Sequence, residues 1–329
     1  AAGRSSSWLT PRPPARPPTT TDVGATAVVG GDESGAPIRM AYTEAGDPHA
    51  EVNLLLLHGL FDHRGTWSYL TPHLVAAGFH VIAPDLIGFG ASSRPLLRDL
   101  PADERYSVDT QVAFLRTFIR QLDLDDLVLV GSSLGGGAAL RMLCTAWPGG
   151  PRIRGLVLEA AAGHAQTLPP YIQLLAGVPG RLLLHPWVQP LALATGVARF
   201  LTRRTFRQVF FDPEKIPRDL LDDAVDLLRT PNTLYAYSES ARNLIPQDIA
   251  SFSDRYRDID APTLILWGRD DRIVPPLFAL LFEGEIPDST LHVFDECGHA
   301  PHLELPVETA VVIRDWMRRH ISLTKDACP

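Results

Sequence analysis

Six short apolar runs, separated by longer stretches of helical character, constrain the fold of this 329-residue chain more than any other feature. The runs are Val52–Leu57, His80–Ala83, Leu127–Val130, Gly155–Leu158, Thr263–Trp267 and Thr290–Phe294. Continuously apolar runs of this length are typical of strands that are covered on both faces, as in a parallel sheet. The pattern therefore predicts repeated βα units on a mainly parallel sheet with flanking helices, an α/β fold.

The stretches between the runs have the spacing of amphipathic helices. Residues 107–122 begin with Ser107 and Asp109 as candidate N-terminal caps and repeat apolar residues every three or four positions. This helix leads directly into the third run, Leu127–Val130.

The regular alternation breaks in one segment and at the N-terminus. Residues 164–249 contain no strand-like run, and prolines and glycines interrupt their apolar sequence, which predicts several short helices forming a cap inserted into the core. Residues 1–23 are rich in Pro, Ser, Thr and Arg, a composition that favours a polyproline or disordered tail. We therefore expect an α/β core at 24–163 and 250–329, a helical cap at 164–249 and a tail at 1–23.

Net charge and cysteine content exclude some classes of protein and leave the compartment open. A formal charge of −8 argues against a nucleic-acid partner or binding to an anionic membrane, and no run of eighteen apolar residues offers a membrane span. Cys144, Cys297 and Cys328 are too scattered for a disulfide framework or a CxxC metal site. Their odd number slightly favours a cytoplasmic location, but one bridge plus a free thiol also fits an oxidising compartment, and a removed N-terminal signal stays open.

The most specific motif is GSSLG, in which Gly131, Ser133 and Gly135 form a Gly-x-Ser-x-Gly pattern. It follows the run at Leu127–Val130 and precedes an Ala-rich predicted helix at Ala138–Cys144. A nucleophilic serine needs such a tight strand-to-helix turn to expose its hydroxyl, and flanking glycines leave room for the neighbouring backbone. The alternative is a glycine-rich turn with an incidental serine.

Candidate partners for Ser133 follow the last two apolar runs. Asp270 and Asp271 come directly after Thr263–Trp267, and His299 follows the run that ends at Phe294. A carboxylate can orient an imidazole that acts as a base toward a serine. The chain order Ser, Asp, His is the order expected when the nucleophile turn lies on the central strand of such a sheet.

Four sets of residues carry a resemblance to the α/β-hydrolase family. They are the His58–Gly59 pair, PDLIGFGASSRP at Pro84–Pro95, GSSLG, and the segments WGRDDRIVP and GHAPHLELP. The similarity runs from about Ala25 to His320 outside the cap. In the family's Gly-x-x-Asp pattern, Gly268 selects Asp271 rather than Asp270 as the acid.

The resemblance implies a serine hydrolase that cleaves a small-molecule carboxylic ester through an acyl-enzyme. Its catalytic residues would be Ser133, Asp271 and His299, with the backbone N–H groups of Leu60 and Leu134 as the oxyanion hole. The reaction implies no metal or organic cofactor. Apolar residues of the cap suggest a hydrophobic acyl or alkyl group, although packing between cap helices explains them equally well. These residues are Leu168, Ile172, Leu174, Leu175, Leu182, Leu183, Leu184, Trp187 and Leu191.

Three alternatives remain open from the sequence. The same family includes carbon–carbon bond hydrolases of ring-cleavage dienoates, for which a cap arginine would bind the substrate carboxylate; the candidates are Arg199, Arg203, Arg204 and Arg207. A non-catalytic ligand receptor can use the same fold. The cap could also make peripheral membrane contact, and the sequence does not define the oligomeric state.

Further polar residues near these motifs have mainly structural interpretations. We expect His58 to brace the oxyanion loop, Asp85 to order the loop that precedes Gly88, and His302 to pack or bond near His299. Glu159, at the end of a predicted strand, is a less favoured substitute for the triad acid.

Overall fold

A computed structural model describes residues 24–178 and 188–321 as a single sheet with helices on both faces. The strands are β1 Ala25–Gly31, β2 Pro37–Ala45, β3 Asn53–Leu57, β4 His80–Pro84, β5 Leu127–Ser132, β6 Ile153–Glu159, β7 Thr263–Gly268 and β8 Ser289–Phe294. Their order across the sheet is β1-β2-β4-β3-β5-β6-β7-β8. All six predicted strands are present. They lie side by side in the order β4-β3-β5-β6-β7-β8, and each neighbouring pair is parallel. The predicted α/β fold is confirmed.

The N-terminal edge of the sheet was not predicted. Strands β1 and β2 pair antiparallel with each other, and β2 pairs antiparallel with β4. In β1 only Ala27 and Val29 are buried, so the strand alternates buried and exposed side chains and ends in two glycines. Such a short half-buried edge strand lacks the continuous apolar run that marks the central strands.

The described helices lie between the strands and after β8. They are α1 Thr71–Ala76, α2 Val108–Gln121, α3 Leu134–Cys144, α4 Pro170–Ala176, α5 Val188–Ala194, α6 Val197–Val209, α7 Arg218–Leu227, α8 Thr233–Arg242, α9 Ile249–Phe252, α10 Leu277–Glu285, α11 Pro301–Glu304 and α12 Pro306–His320. None of them is long and apolar enough to cross a membrane. The predicted tail at 1–23, together with Leu182, Leu183, Leu184, Trp187 and Cys328, lies outside the described residues.

Two helix predictions can be compared with the structure. The predicted helix at 107–122 is α2, and the Ser107 hydroxyl caps it by accepting a hydrogen bond from the Thr110 N–H at 3.2 Å. The helix after GSSLG begins at Leu134, four residues before the predicted start at Ala138. Three consecutive glycines disfavour a helix by propensity, but here they allow α3 to pack closely against the sheet, so tertiary contacts override propensity.

The sheet buries apolar side chains on both faces, which explains the continuous runs. Leu55 and Leu57 of β3 face one apolar cluster, while Leu54 and Leu56 face the other, and all four are completely buried. Segment 164–249, between β6 and β7, contains only helices among its described residues and forms one wall of the cavity considered next.

Candidate active site

Ser133 lies on a sharp turn between β5 and α3. Its backbone has φ 51° and ψ −114°, a conformation that a non-glycine residue adopts only where surrounding contacts impose it. The Ser133 N–H donates to the Glu159 carbonyl at 3.0 Å, and its carbonyl accepts from the Ala162 N–H at 3.0 Å. The end of β6 therefore fixes the strained turn from the neighbouring strand, and the Ser133 side chain lines a cavity.

Glycines are required on both sides of this turn by close backbone contacts. A Cβ on Gly135 would lie 2.1 Å from the Leu57 carbonyl oxygen, and a Cβ on Gly131 would lie 2.5 Å from the Gly135 carbonyl oxygen. Real side chains do not tolerate such distances, so the spacing of the GSSLG motif is a steric requirement of the turn.

His299 and Asp271 form a buried hydrogen-bonded pair at the same cavity. The His299 Nδ1 atom lies 2.8 Å from Asp271 Oδ2. The other carboxylate oxygen, Oδ1, accepts from the N–H groups of Ile273 and Val274 at 2.8 and 3.0 Å. Asp271 is thus held by its own loop while it orients the imidazole.

Asp270 occupies a different environment from its neighbour. Its N–H donates to the Cys297 carbonyl at 2.9 Å, and its side chain is only partly buried and interacts electrostatically with Arg269. Of the two aspartates that the sequence offers, only Asp271 makes the described contact with His299.

The loop that follows β3 approaches Ser133 directly. A Cβ on Gly59 would lie 3.3 Å from the Ser133 Cβ, so Leu60, the next residue, is close to the turn that carries Ser133. His58 accepts from the Leu86 N–H at Nε2, at 3.0 Å, and therefore donates through Nδ1 to the Gly59 carbonyl at 2.8 Å. Burial lowers the pKa of His58, which favours this neutral imidazole. Through its two hydrogen bonds, His58 braces the loop.

The turn that carries His299 is anchored to the helical segment. The His299 N–H donates to the Val209 carbonyl at the end of α6, at 2.7 Å. Glu304 of α11 accepts from the Gly298 N–H at 2.7 Å and from the Phe211 N–H at 2.8 Å. One buried carboxylate therefore joins the His299 turn to the segment after α6.

Burial and charge act on His299 in opposite directions. Burial lowers the pKa of His299, but the charge of Asp271 and its hydrogen bond raise it, with further contributions from Glu159 and Asp62. The net pKa is raised above the ordinary value of 6.5. The site therefore favours a positive charge on this imidazole, which a base acquires when it takes a proton.

Most residues that line the cavity are apolar, and they come mainly from the loop after β3 and from the helical segment. The polar lining residues are Asp62, His63, Ser132, Ser133, Gln166, Tyr171, Thr205, His299 and His302. Asp62 is the single carboxylate among the described lining residues, and no Lys or Arg lines the cavity there. Among the described residues, no cluster of His, Cys, Asp or Glu could hold a metal ion.

The arginines of α6 do not line this cavity. Arg199, Arg203, Arg204 and Arg207 are exposed, and Arg199 pairs with Asp222 of α7 at 2.5 Å. The opposite side of α6 faces the cavity through Thr205, Phe206 and Val209. The expectation that a cap arginine would bind a substrate carboxylate therefore finds no support at the described cavity.

The predicted apolar cap residues are only partly cavity residues. Leu168 and Ile172 line the cavity, whereas Leu174 and Leu191 are 50% and 65% exposed. Neither substrate contact nor packing between cap helices, the two interpretations open from the sequence, accounts for the last two, because they lie on the outer surfaces of α4 and α5.

Several lining residues escaped the sequence analysis, notably Phe61, Tyr171 and Phe206. One signal was available for α6: Arg199, Arg203 and Arg207 recur every four residues and so share one face, which places Thr205 and Val209 on the other face. Phe61 could not be recognised from the sequence, because it enters the cavity from a loop and not from a periodic helix or strand. Its own backbone φ is 62°.

Comparisons with known proteins agree with this fold. The family model described as the alpha/beta hydrolase fold matches residues 52–306. A 2-hydroxy-6-oxo-6-phenylhexa-2,4-dienoate hydrolase of Burkholderia cepacia is 30% identical over 265 residues, which cover 79% of this chain and 85% of the relative.

Solved structures with the same fold include enzymes of two kinds. A 2-hydroxy-6-oxo-6-phenylhexa-2,4-dienoate hydrolase from a Rhodococcus species has a TM-score of 0.70 at 23% identity, covering 90% of this chain and 100% of that one. An esterase from Exiguobacterium antarcticum has a TM-score of 0.68 at 21% identity, with the same coverage of both chains. From the family match and the sheet that carries the site, the chain belongs to the α/β-hydrolase family and is a hydrolase.

Proposed function

We propose that the protein is a serine hydrolase that cleaves neutral carboxylic esters with a hydrophobic acyl or alkyl group. The observation that carries this proposal is the cavity itself, in which Ser133 and the Asp271-bound His299 share a mainly apolar space. A neutral ester can bury its apolar part there while its carbonyl lies against the nucleophile.

The proposed reaction is acyl transfer in two steps. Ser133 Oγ attacks the ester carbonyl carbon while His299 Nε2 takes the hydroxyl proton, and Asp271 holds the imidazole through Nδ1. The N–H groups of Leu60 and Leu134 would stabilise the oxyanion, assisted by the positive N-terminus of α3. His299 then gives its proton to the leaving alcohol, and water repeats the cycle on the acyl-enzyme.

The second candidate is carbon–carbon bond cleavage of a dienoate, favoured by the similarity to the dienoate hydrolase of Burkholderia cepacia. Dienoates carry a carboxylate, and binding one in an apolar cavity requires a compensating charge or several hydrogen bonds. The described lining offers no Lys or Arg and includes the carboxylate of Asp62, which repels an anion. This charge pattern is our reason for placing the ester first.

The test is hydrolysis of p-nitrophenyl acetate, butyrate and octanoate, and of a phenyl-substituted ring-cleavage dienoate, by the wild type and Ser133→Ala. We expect ester hydrolysis that favours the longer acyl chains and falls by about 10⁶-fold in kcat on loss of the nucleophile. Ser132→Ala is the matched control, since it removes the adjacent hydroxyl from the same turn, and it should cause a far smaller loss.

Two results would reject the ester assignment. Turnover of the dienoate with no ester hydrolysis would establish the second candidate. If neither substrate reacts and a fluorophosphonate probe leaves Ser133 unlabelled, the site is not a functioning serine hydrolase and the receptor interpretation gains weight.

A further inference from the structure

A second buried carboxylate–histidine pair lies at the wall of the cavity and takes no direct part in the reaction proposed above. The Glu159 Oε1 atom lies 2.5 Å from His302 Nδ1 and also accepts from the His302 N–H at 3.3 Å. The other ring nitrogen, His302 Nε2, lies 2.7 Å from the Thr66 hydroxyl oxygen. All three side chains are at most 2% exposed.

This chain of hydrogen bonds joins three segments that carry the site. Glu159 ends β6 and binds the Ser133 N–H through its own carbonyl. His302 lies three residues after His299, in α11. Thr66 lies in a short 3₁₀ helix at Arg64–Tyr69, behind the Gly59 loop, and the adjacent Trp67 ring lies 4.3 Å from the His302 ring.

The hydrogen-bond pattern indicates where the protons lie. If the Thr66 hydroxyl donates to His302 Nε2, then Nδ1 carries a proton and donates to Glu159 Oε1, so both ring nitrogens of His302 have a partner. The second carboxylate oxygen, Oε2, is buried without a hydrogen-bond partner among the described residues. A buried negative charge is costly unless a positive charge compensates it.

His299 becomes that positive charge during the proposed reaction. We propose that Glu159 is a positioning residue that acts through His302 and Thr66 to hold the His299 turn against the Gly59 loop, and whose charge stabilises the imidazolium formed on His299. The proposal rests on the proposed serine mechanism. It explains why a partly unsatisfied carboxylate is buried beside the nucleophile turn.

The other titratable groups around His299 are few. Asp271 bonds to His299 from the loop after β7. The charges of Glu159, at the end of β6, and of Asp62, in the loop after β3, also raise the pKa of His299. Burial raises the pKa of Tyr171 in α4 and of Cys297, so both stay uncharged across the neutral range. Lys215 acts electrostatically on Cys297 and Glu304.

The test measures the pKa of His299 directly by ¹H–¹⁵N NMR titration, with the signal assigned by its loss in His299→Gln, together with the pH profile of ester kcat/KM. In Glu159→Gln we expect the pKa of His299 and the acidic limb of the profile to move to lower pH. We expect kcat to fall by up to about 10²-fold, the cost of misplacing a catalytic group by ~1 Å, with little change in KM.

Two variants separate charge from structure. Glu304→Gln removes another buried carboxylate that holds the same turn but that does not act on His299, so it should leave the pKa of His299 in place even if the turn loosens. His302→Gln keeps the Glu159 charge and breaks the chain, so kcat should fall while the acidic limb stays higher than in Glu159→Gln. His302→Gln also tests the positioning role if Glu159→Gln does not fold.

An unchanged pKa of His299 in Glu159→Gln, or an equal shift in Glu304→Gln, would overturn the electrostatic role. Unchanged kcat in both Glu159→Gln and His302→Gln would overturn the positioning role. Failure of the proposed function has a different signature: ester hydrolysis would be absent in the wild type or retained in Ser133→Ala. The NMR titration needs no substrate and decides the electrostatic role in either case.

Discussion

Two buried carboxylate–histidine pairs among the described residues look alike in chemistry and differ in their further hydrogen-bond partners. His299 and Asp271 join at 2.8 Å, and His299 also lines the cavity beside Ser133. His302 and Glu159 join at 2.5 Å, but the second nitrogen of His302 is bound by the Thr66 hydroxyl. A histidine can exchange a proton with a substrate only if one ring nitrogen is free to do so, and this difference is our reason for proposing different tasks for the two pairs.

The comparison also separates two ways in which a carboxylate affects a reaction. Asp271 touches His299 and fixes its tautomer, so its removal should affect the proton transfer itself. Glu159 acts over a longer distance and through intervening groups, so its effect should be smaller and more dependent on charge.

Among changes that test this comparison, Asp271→Asn should have the largest effect. The amide would present a donor to His299 Nδ1 and favour the wrong tautomer, so kcat for ester hydrolysis should fall by about 10⁴-fold with the fold intact. Asp270→Asn is the matched control and should retain activity, because Asp270 does not contact His299. Equal losses in the two variants would mean that the pairing in the structure does not govern the reaction.

A smaller effect is expected at the far end of the second pair. Thr66→Val leaves His302 Nε2 buried without its partner, which should lower the free energy of unfolding by about 1–3 kcal/mol, measured by urea denaturation. Thr309→Val should be neutral or stabilising, because the buried Thr309 hydroxyl has no hydrogen-bond partner among the described residues. If both variants lose equal stability, the Thr66–His302 bond contributes nothing specific.

The smallest effect is expected from the charge on the cavity wall. Asp62→Asn should shift the acidic limb of kcat/KM to lower pH, because His299 must be neutral to act as a base and the Asp62 charge raises the pKa of His299, less than Asp271 or Glu159 does. Hydrolysis of an anionic hemisuccinate ester relative to a neutral ester should rise by roughly two- to tenfold, as expected for a charge partly screened by solvent. The control is Asp226→Asn, the same change at an exposed site outside the cavity. It should alter neither the acidic limb of kcat/KM nor the rate of the anionic ester relative to the neutral ester.

Parts of the site could be predicted because their chemistry is encoded locally. The GSSLG spacing reflects backbone so close that a Cβ on Gly135 or Gly131 would lie 2.1 or 2.5 Å from a carbonyl oxygen, so the turn at Ser133 can be recognised from the sequence alone. The choice of Asp271 over Asp270 needed the family resemblance, since both follow the same strand. The pairing of Glu159 with His302 joins residues 143 positions apart, and no local pattern encodes it.

The sequence by itself determined the six central strands, their helical connections and the order of the serine, acid and histidine segments. These features depend on local periodicity and on steric rules of single turns, which neighbouring residues specify. Tertiary structure decided which face of α6 meets the cavity, how β1 and β2 extend the sheet, and which carboxylate pairs with each of the two buried histidines. Those outcomes depend on packing between distant segments, where burial and hydrogen bonding are settled by the whole fold.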